Sequence, residues 1–367
     1  MADLKALHRL GQAMWIDYIR RSFMTSGQLD QWIKRGVRGM TSNPTIFDKA
    51  IASSDDYDAS LRRQVGAGMS LPARYEALAL EDIRLAADSL RPIYDESEGA
   101  DGYVSLEVRP ALSNDTQGTL TEARRLFAML ARPNVLIKVP ATHEGIPAVK
   151  QLISEGININ ITLMFSLAHY RDVSEAYLSG LEARAAAGME LRHVASVASF
   201  FVSRVDSVVD QRLERIGERE LRGKIAVANS KLTYEVFRRT FSGSRWDRLE
   251  NLGAMKQRVL WASTSTKNPA YPDTLYVDNL IGPDTVNTAP LETIEAFLDH
   301  GRLEKTIDDG LAEAHRQIGR LAEIGVDLDE ITEQLQIDGV KAFAASFDSL
   351  LSSIEKKQRA LVSRERA

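Results

Sequence analysis

Residues 134–170 read NVLIKVPATHEGIPAVKQLISEGININITLMFSLAHY. Two brief runs, 135–139 and 157–163, are rich in Val, Ile and Leu. Between them 145–155 carries apolar residues at helical spacing, and a second helical pattern, 167–187, follows. Short continuous apolar runs fit parallel strands buried on both faces, and their alternation with helices marks βαβ units. The same rhythm extends in both directions. Further strand candidates lie at 13–19, 36–41 and 104–108, then at 194–202, 259–262 and 274–277, with another helical pattern at 119–130. Eight strands favour an α/β fold closed as a TIM (β/α)8 barrel over an open sheet. A dinucleotide-binding sheet requires G-x-G-x-x-G after an early strand, and no such turn occurs; nor does a G-x-x-x-x-G-K-S/T phosphate loop.

The chain has 367 residues, and the barrel pattern leaves two regions over. Residues 49–102 form a helical insertion between the second and third strands, with a long run at 73–93. Residues 291–360 give charged amphipathic helices at 303–324, 328–335 and 340–354. No Pro/Gly/Ser-rich linker isolates either region, so one domain is expected over 1–367, with the C-terminal helices packed on the barrel as an outer layer. The last residues, 363–367, read as a frayed end.

Composition removes several function classes. Lys+Arg 46 against Asp+Glu 51 gives a net charge of −5 with no long basic run, which speaks against nucleic acid. The absence of cysteine excludes disulfides, thiol nucleophiles and thiolate metal sites. The six histidines form no HxH or HxxxH pair, so no catalytic metal is expected. The opening MADLKALHRLGQAMW lacks the apolar core of a signal peptide. No window reaches the roughly 18 apolar residues of a membrane span. A cytoplasmic enzyme without membrane contact is expected.

In such a barrel the working residues lie at the carboxyl ends of the strands. Reading those ends gives Asp17, Asn43, Glu107, Lys138, Asn160, Thr162, Ser199, Arg204, Ser263 and Lys267. Polar groups inside apolar strands are costly unless paired, so each requires a reason. Lys138 is the most informative. An interior lysine loses hydration, which favours the free amine, and a free amine attacks a carbonyl to form a Schiff base. Strand context alone leaves a second reading open, a structural lysine neutralised by Glu107 or Asp17. Two acids beside one amine suit divided proton work, one deprotonating a substrate hydroxyl and the other relaying protons through water.

Pro44 forces Asn43 out of helical geometry, so its amide is placed either for a substrate hydroxyl or simply for a turn. Asn160 and Thr162 alternate with apolar residues and share one side of their strand, where Thr162 suits a water beside Glu107. SFFVSRVD and WASTSTKN supply hydroxyls, Phe201 and two cations after the sixth and seventh strands. That set fits a phosphate at the barrel mouth, or an ordinary loop with a helix cap. The aromatics within 73–93, and Phe343 and Phe347, read as core packing.

Several long segments together resemble the transaldolase family in its longer bacterial form. They are GVRGMTSNPTIFDKAI, YVSLEVRPALSNDTQGTL, NVLIKVPATHEGIPAV, EGININITLMFSLAHY, SVASFFVSRVD and STSTKNPAYPDTLYVDNLIGPDTVNT, with VDLDEITEQLQIDGVKAF near the end. The resemblance implies a class I, Schiff-base transferase on a TIM barrel with no cofactor. Its partners would be small sugar phosphates, and the chain a monomer or homodimer. It would carry a dihydroxyacetone unit from sedoheptulose 7-phosphate to glyceraldehyde 3-phosphate. The products would be erythrose 4-phosphate and fructose 6-phosphate, in the non-oxidative pentose phosphate pathway.

Carried over by motif, the resemblance makes Lys138 the Schiff-base lysine and Asp17 the acid–base for the C4 hydroxyl. Glu107 and Thr162 hold the catalytic water. Asn43, Asn160 and Ser199 bind substrate hydroxyls, and Phe201 governs whether water or sugar intercepts the intermediate. Arg204 and Ser263 bind phosphate. Shorter family members carry a serine–aromatic–arginine run where this chain has Ser263, Thr264, Ser265, Thr266 and Lys267, and the resemblance implies that Lys267 stands in for that arginine as the second phosphate cation. Two other readings compete. A fructose 6-phosphate aldolase releases the three-carbon unit to solvent, but resembles this family with glutamine where Glu107 stands. A non-catalytic sugar-phosphate-binding barrel would have lost one of Lys138, Asp17 or Glu107.

Overall fold

The structure, a computed structural model, describes residues 2–365. Eight parallel strands close in sequence order into a barrel: β1 Gln12–Asp17, β2 Gly39–Thr41, β3 Tyr103–Glu107, β4 Val135–Pro140, β5 Ile159–Met164, β6 Ser196–Phe201, β7 Arg258–Ala262 and β8 Thr285–Ala289. Closure comes from β8 on β1, with Thr285 opposite Gln12 and Ala289 opposite Ile16. Seven strands fall where the apolar runs place them. The eighth does not: the expected strand at 274–277 is part of a one-turn helix, Leu275–Asn279. Thr274 Oγ1 donates to Asp278 Oδ2 across that turn at 2.7 Å. The true β8, TVNTA, has polar groups on the crowded interior, where Asn287 Oδ1 accepts from Thr264 Oγ1 at 2.8 Å.

The connecting helices start and stop on recognisable signals. Asn43 caps Pro44–Ala52 by accepting the Ile46 N–H, with proline at the first helical position. Asp115 caps Thr116–Leu130 and Ser166 caps Leu167–Ala186 in the same way. Gly156, at φ +85°, ends Gly145–Glu155. Asn43 and Ser166 set their helices directly on the ends of β2 and β5, while a short turn at Pro110–Leu112 separates β3 from its helix.

The extra helices stand between β2 and β3 (Pro44–Ala52, Asp58–Gly66 and Leu71–Glu96) and after β8. After β8 come Leu291–His300 and Leu311–Glu323, and residues 303–310 are not helical. The expected pair at 328–335 and 340–354 is one continuous helix, Leu328–Glu365. That helix covers three of the residues expected to fray, and residues 366–367 lie outside the described residues. Rather than lying only on the outside, it crosses the barrel mouth. Gln336 Nε2 donates to Ala141 O and Leu163 O at 2.9 and 3.0 Å. At Gly339 a Cβ would lie 2.9 Å from Leu163 Cδ2, so the missing side chain permits the approach to β5. Beyond it, Ser349 bonds Asp48 and Lys357 pairs with Asp58 at 3.0 Å, tying the helix to the inserted ones. Among the described residues no helix is long and apolar enough to cross a membrane.

Candidate active site

The strand register brings Lys138 beside Glu107 on β3 and beside Asn160 on β5. Lys138 is 5% exposed; its Nζ donates to Ser42 O at 3.1 Å and lies 3.6 Å from Glu107 Oε2. The second distance is an ion pair longer than a hydrogen bond. Glu107 Oε2 and Thr162 Oγ1 are buried with no hydrogen-bond partner among the described residues. Such oxygens occur elsewhere in the interior too, but these two stand where a ligand of Lys138 would meet them, Glu107 beside its amine and Thr162 on the same cavity. Burial pushes the Glu107 carboxyl up, and the Lys138 charge pulls it back.

Asp17 at the end of β1 opens into the same cavity, of about 140 Å³. Burial raises its carboxyl as well, opposed by the hydrogen bond from Thr41 and the charges of Lys138 and Lys267. Thr41 Oγ1 donates to Asp17 Oδ1 at 2.6 Å and lies 2.7 Å from Thr288 Oγ1, which fixes the carboxylate from behind. Two acids near a half-engaged amine, one paired with it and one sharing its cavity, can therefore hold and exchange protons at different atoms of one ligand.

Nine of the eleven residues expected at the site line this cavity: Asp17, Asn43, Lys138, Thr162, Ser199, Phe201, Arg204, Ser263 and Lys267. Glu107 lines a neighbouring cavity of about 290 Å³ instead, with Tyr75 and Phe347, and touches this one only through its ion pair with Lys138. Asn160 stands behind the wall. Its Nδ2 donates to Ser105 Oγ at 3.0 Å and its Oδ1 accepts from Ser199 Oγ at 2.6 Å, so Ser199 is the member of that pair facing the cavity. Asn43 uses Oδ1 on its helix cap, so its amide nitrogen is the half that faces a ligand.

The cationic side is built by β6 and β7. Arg204, the second residue of the helix Ser203–Arg215, stacks over Phe201 at 5.0 Å and pairs with no carboxylate among the described residues. Burial pulls its guanidinium below the ordinary value. Ser263 Oγ lies 3.0 Å from Ser203 Oγ, and Lys267 is exposed on the following loop. Ser263 and Leu163 hold φ of +55° and +62° at the ends of β7 and β5. Left-handed backbone costs roughly 1–3 kcal/mol at a residue other than glycine and gathers at functional sites.

The sequence reading missed Thr41, Thr288 and Phe343. Phe343, expected in the core, comes from the C-terminal helix and places its ring 5.8 Å from Lys138 Nζ. Thr41 stands two residues before Asn43 in TSNP, a usable signal; nothing local marks Phe343. Larger cavities of about 690 and 670 Å³ lie between outer helices. The first is lined by charges already paired, such as Arg238 with Asp308 and Lys256 with Asp284. Size alone therefore does not mark the site. Among the described residues no group of three or more His, Asp or Glu is arranged to hold a metal ion.

A (β/α)8 barrel whose mouth holds a buried lysine paired with Glu107 and sharing a cavity with Asp17, beside cations unpaired among the described residues, has the makings of a lysine-centred barrel enzyme. Comparison with known proteins makes the assignment finer. The family model described as Transaldolase/Fructose-6-phosphate aldolase matches residues 14–354. The chain is 43% identical over 372 residues to a protein named Transaldolase from Trichodesmium erythraeum, covering 98% of each chain. It is 47% identical over 362 residues to one from a Parafrankia species, covering 97% of each. One from Thiobacillus denitrificans is 47% identical over 354 residues, 95% of this chain and 99% of that one. The chain belongs to the transaldolase/fructose-6-phosphate aldolase family.

Proposed function

We propose that this chain is a transaldolase. It moves a dihydroxyacetone unit from sedoheptulose 7-phosphate to glyceraldehyde 3-phosphate, giving erythrose 4-phosphate and fructose 6-phosphate in the non-oxidative pentose phosphate pathway. The reading rests on one juxtaposition: Lys138 Nζ, held by a single carbonyl, faces Glu107 and shares a cavity with Asp17.

Lys138 Nζ attacks the C2 ketone of the donor, and Glu107 with Thr162 handles the water lost as the imine forms. Their two partnerless oxygens are what such a water requires. Asp17 then removes the proton of the C4 hydroxyl. The C3–C4 bond breaks, its electron pair flows into the iminium, and the aldose leaves as an aldehyde. The enamine left on Lys138 attacks the acceptor aldehyde through its carbon, and Asp17 returns the proton to the new hydroxyl. Hydrolysis of the resulting imine frees the ketose and the amine. Arg204, Ser263 and Lys267 receive the phosphate, Asn43 and Ser199 the hydroxyls with Asn160 positioning Ser199, and Phe201 shields the intermediate from water.

No step calls for a metal or organic cofactor. The chain works as one domain over 1–367 in the cytoplasm, as a monomer or homodimer, with sugar phosphates as its only required partners.

The test is an assay with fructose 6-phosphate as donor and erythrose 4-phosphate as acceptor. Formation of sedoheptulose 7-phosphate without free dihydroxyacetone supports the reading. Release of dihydroxyacetone at the rate of donor cleavage would make the chain an aldolase instead.

A further inference from the structure

The loop after β7, residues 263–274, is twelve residues without regular structure and carries Lys267 exposed near its middle. A free loop of that kind holds an exposed lysine in no fixed place, and ordering it on a ligand weakens binding. Thr264 bonds Asn287, Ser265 bonds Thr293 and Asp273 pairs with His300, while ties at both ends of the loop run to the helix Ser203–Arg215, which carries Arg204. At its start, Ser203 N–H donates to Ser263 O at 3.1 Å, beside the contact between the two hydroxyls. Near its end, Tyr271 Oη donates to Asp210 Oδ2 at 2.6 Å. Just beyond, Tyr276 Oη donates to Asp206 Oδ2 at 3.0 Å.

Both carboxylates are buried, Asp206 at 2% exposure and Asp210 at 7%, and neither forms an ion pair among the described residues. Their other oxygens are fixed too. Asp206 Oδ1 accepts the Ala226 N–H at 2.7 Å and Asp210 Oδ1 accepts the Gly223 N–H at 3.0 Å. Gly223, at φ +68°, also leaves room for the Tyr271 ring, where a Cβ would come within 2.8 Å. A buried carboxylate without a cation is costly, and apolar packing would hold a helix and a loop together at lower cost. Burial pushes the Asp206 carboxyl up to about 7, a measure of that cost. Directional bonds supply what apolar packing lacks, a fixed register between the two segments that bear the unpaired cations.

We propose that Asp206 and Asp210, through Tyr276 and Tyr271, are positioning residues that register Lys267 against Arg204 and so select phosphorylated over unphosphorylated ketoses. The proposal rests on Arg204 and Lys267 being the phosphate ligands.

The experiment measures the ligand concentration that half-saturates borohydride trapping of the intact enzyme. Fructose 6-phosphate and dihydroxyacetone are compared, the second having no phosphate. The double variant Tyr271→Phe/Tyr276→Phe is expected to need about tenfold more fructose 6-phosphate, with dihydroxyacetone unchanged within about twofold. Asp206→Asn keeps the tie by donating its amide to Tyr276 Oη, and is expected to stay near the parent value for both ligands. Equal weakening of both ligands in the tyrosine variant, or no weakening of either, overturns the proposal. Should the double variant not fold, Tyr271→Phe alone, at a partly exposed position, carries the same test with about a threefold effect. Arg204→Ala separates the two levels. If it leaves fructose 6-phosphate unaffected, the phosphate assignment and the proposal fall together. If it weakens only fructose 6-phosphate while the tyrosine variants do not, the proposal falls alone.

Discussion

The two ends of the barrel are both polar inside, and they handle that polarity in opposite ways. At the amino ends of the strands, neutral amides donate to the protein itself. Gln12 donates to Leu280 O and Thr285 Oγ1, Asn134 to Ala87 O and Gly102 O, and Gln257 to Ser196 Oγ. The charged pair there is closed, with Arg258 2.8 Å from Asp101 and bonded to Ala100 O as well. At the carboxyl ends, Lys138 stands 3.6 Å from Glu107, Glu107 Oε2 and Thr162 Oγ1 have no hydrogen-bond partner among the described residues, and burial pushes the Asp17 and Glu107 carboxyls upward. A polar interior is thus no sign of function in itself. Unpartnered oxygens do not separate the ends either, since Gln12 Oε1, Asn134 Oδ1 and Gln257 Oε1 lack hydrogen-bond partners among the described residues; what separates a site from a plug is charge left half-engaged beside a cavity.

Substitutions at the two ends are therefore expected to break different things. Lys138→Ala removes the electron sink and is expected to lower kcat by about 1,000-fold or more, with Tm little changed or raised. Asp17→Ala comes next, with a loss of about 100- to 10,000-fold in kcat while the imine on Lys138 still forms and can be trapped. Arg204→Ala is expected to raise KM for fructose 6-phosphate by about 10- to 100-fold with kcat nearly kept, the pattern of lost uniform binding. Arg258→Leu at the opposite end reverses the profile. Leaving Asp101 buried with only His8, 3.9 Å away, is expected to cost about 3–5 kcal/mol of stability, read by denaturant unfolding, with kcat of the folded enzyme within about twofold of the parent. A large loss of kcat in Arg258→Leu without unfolding would erase the contrast.

The smallest effect is a pH dependence. The folded Asp206 carboxyl titrates at about 7, above its ordinary value of 3.8. The folded state therefore holds that proton more tightly, so its contribution to stability is present below about pH 4 and is lost as pH rises through 7. Asp206→Asn carries no such charge, and its Tm advantage over the parent is expected to grow by a few degrees between pH 4 and 8. A constant difference across that range would show that Asp206 does not titrate as described.

Most of the barrel was legible because both-face burial writes continuous apolar runs into the sequence. The missed strand, Thr285–Ala289, shows the limit. Its polar residues are hydroxyls and an amide that bond to Thr264, just after β7, and to Thr41, so no apolar run exists to be read. Meanwhile the apolar Leu275, Tyr276 and Val277 belong to a one-turn helix. The site was legible for a related reason, since a lysine or acid inside an apolar strand is conspicuous. Phe343 was not, because an aromatic on an amphipathic helix looks the same whether it meets the core or Lys138. Its place follows from Gly339 and Gln336, which seat the C-terminal helix on β5.

The central claim is that Lys138 holds the three-carbon unit covalently between donor and acceptor. Borohydride reduction in the presence of fructose 6-phosphate, followed by peptide mass mapping, tests it directly. A reduced dihydroxyacetone adduct on Lys138, absent when the reductant is omitted, is the expected result. An unmodified Lys138 in folded enzyme, or an adduct on another lysine, would contradict it.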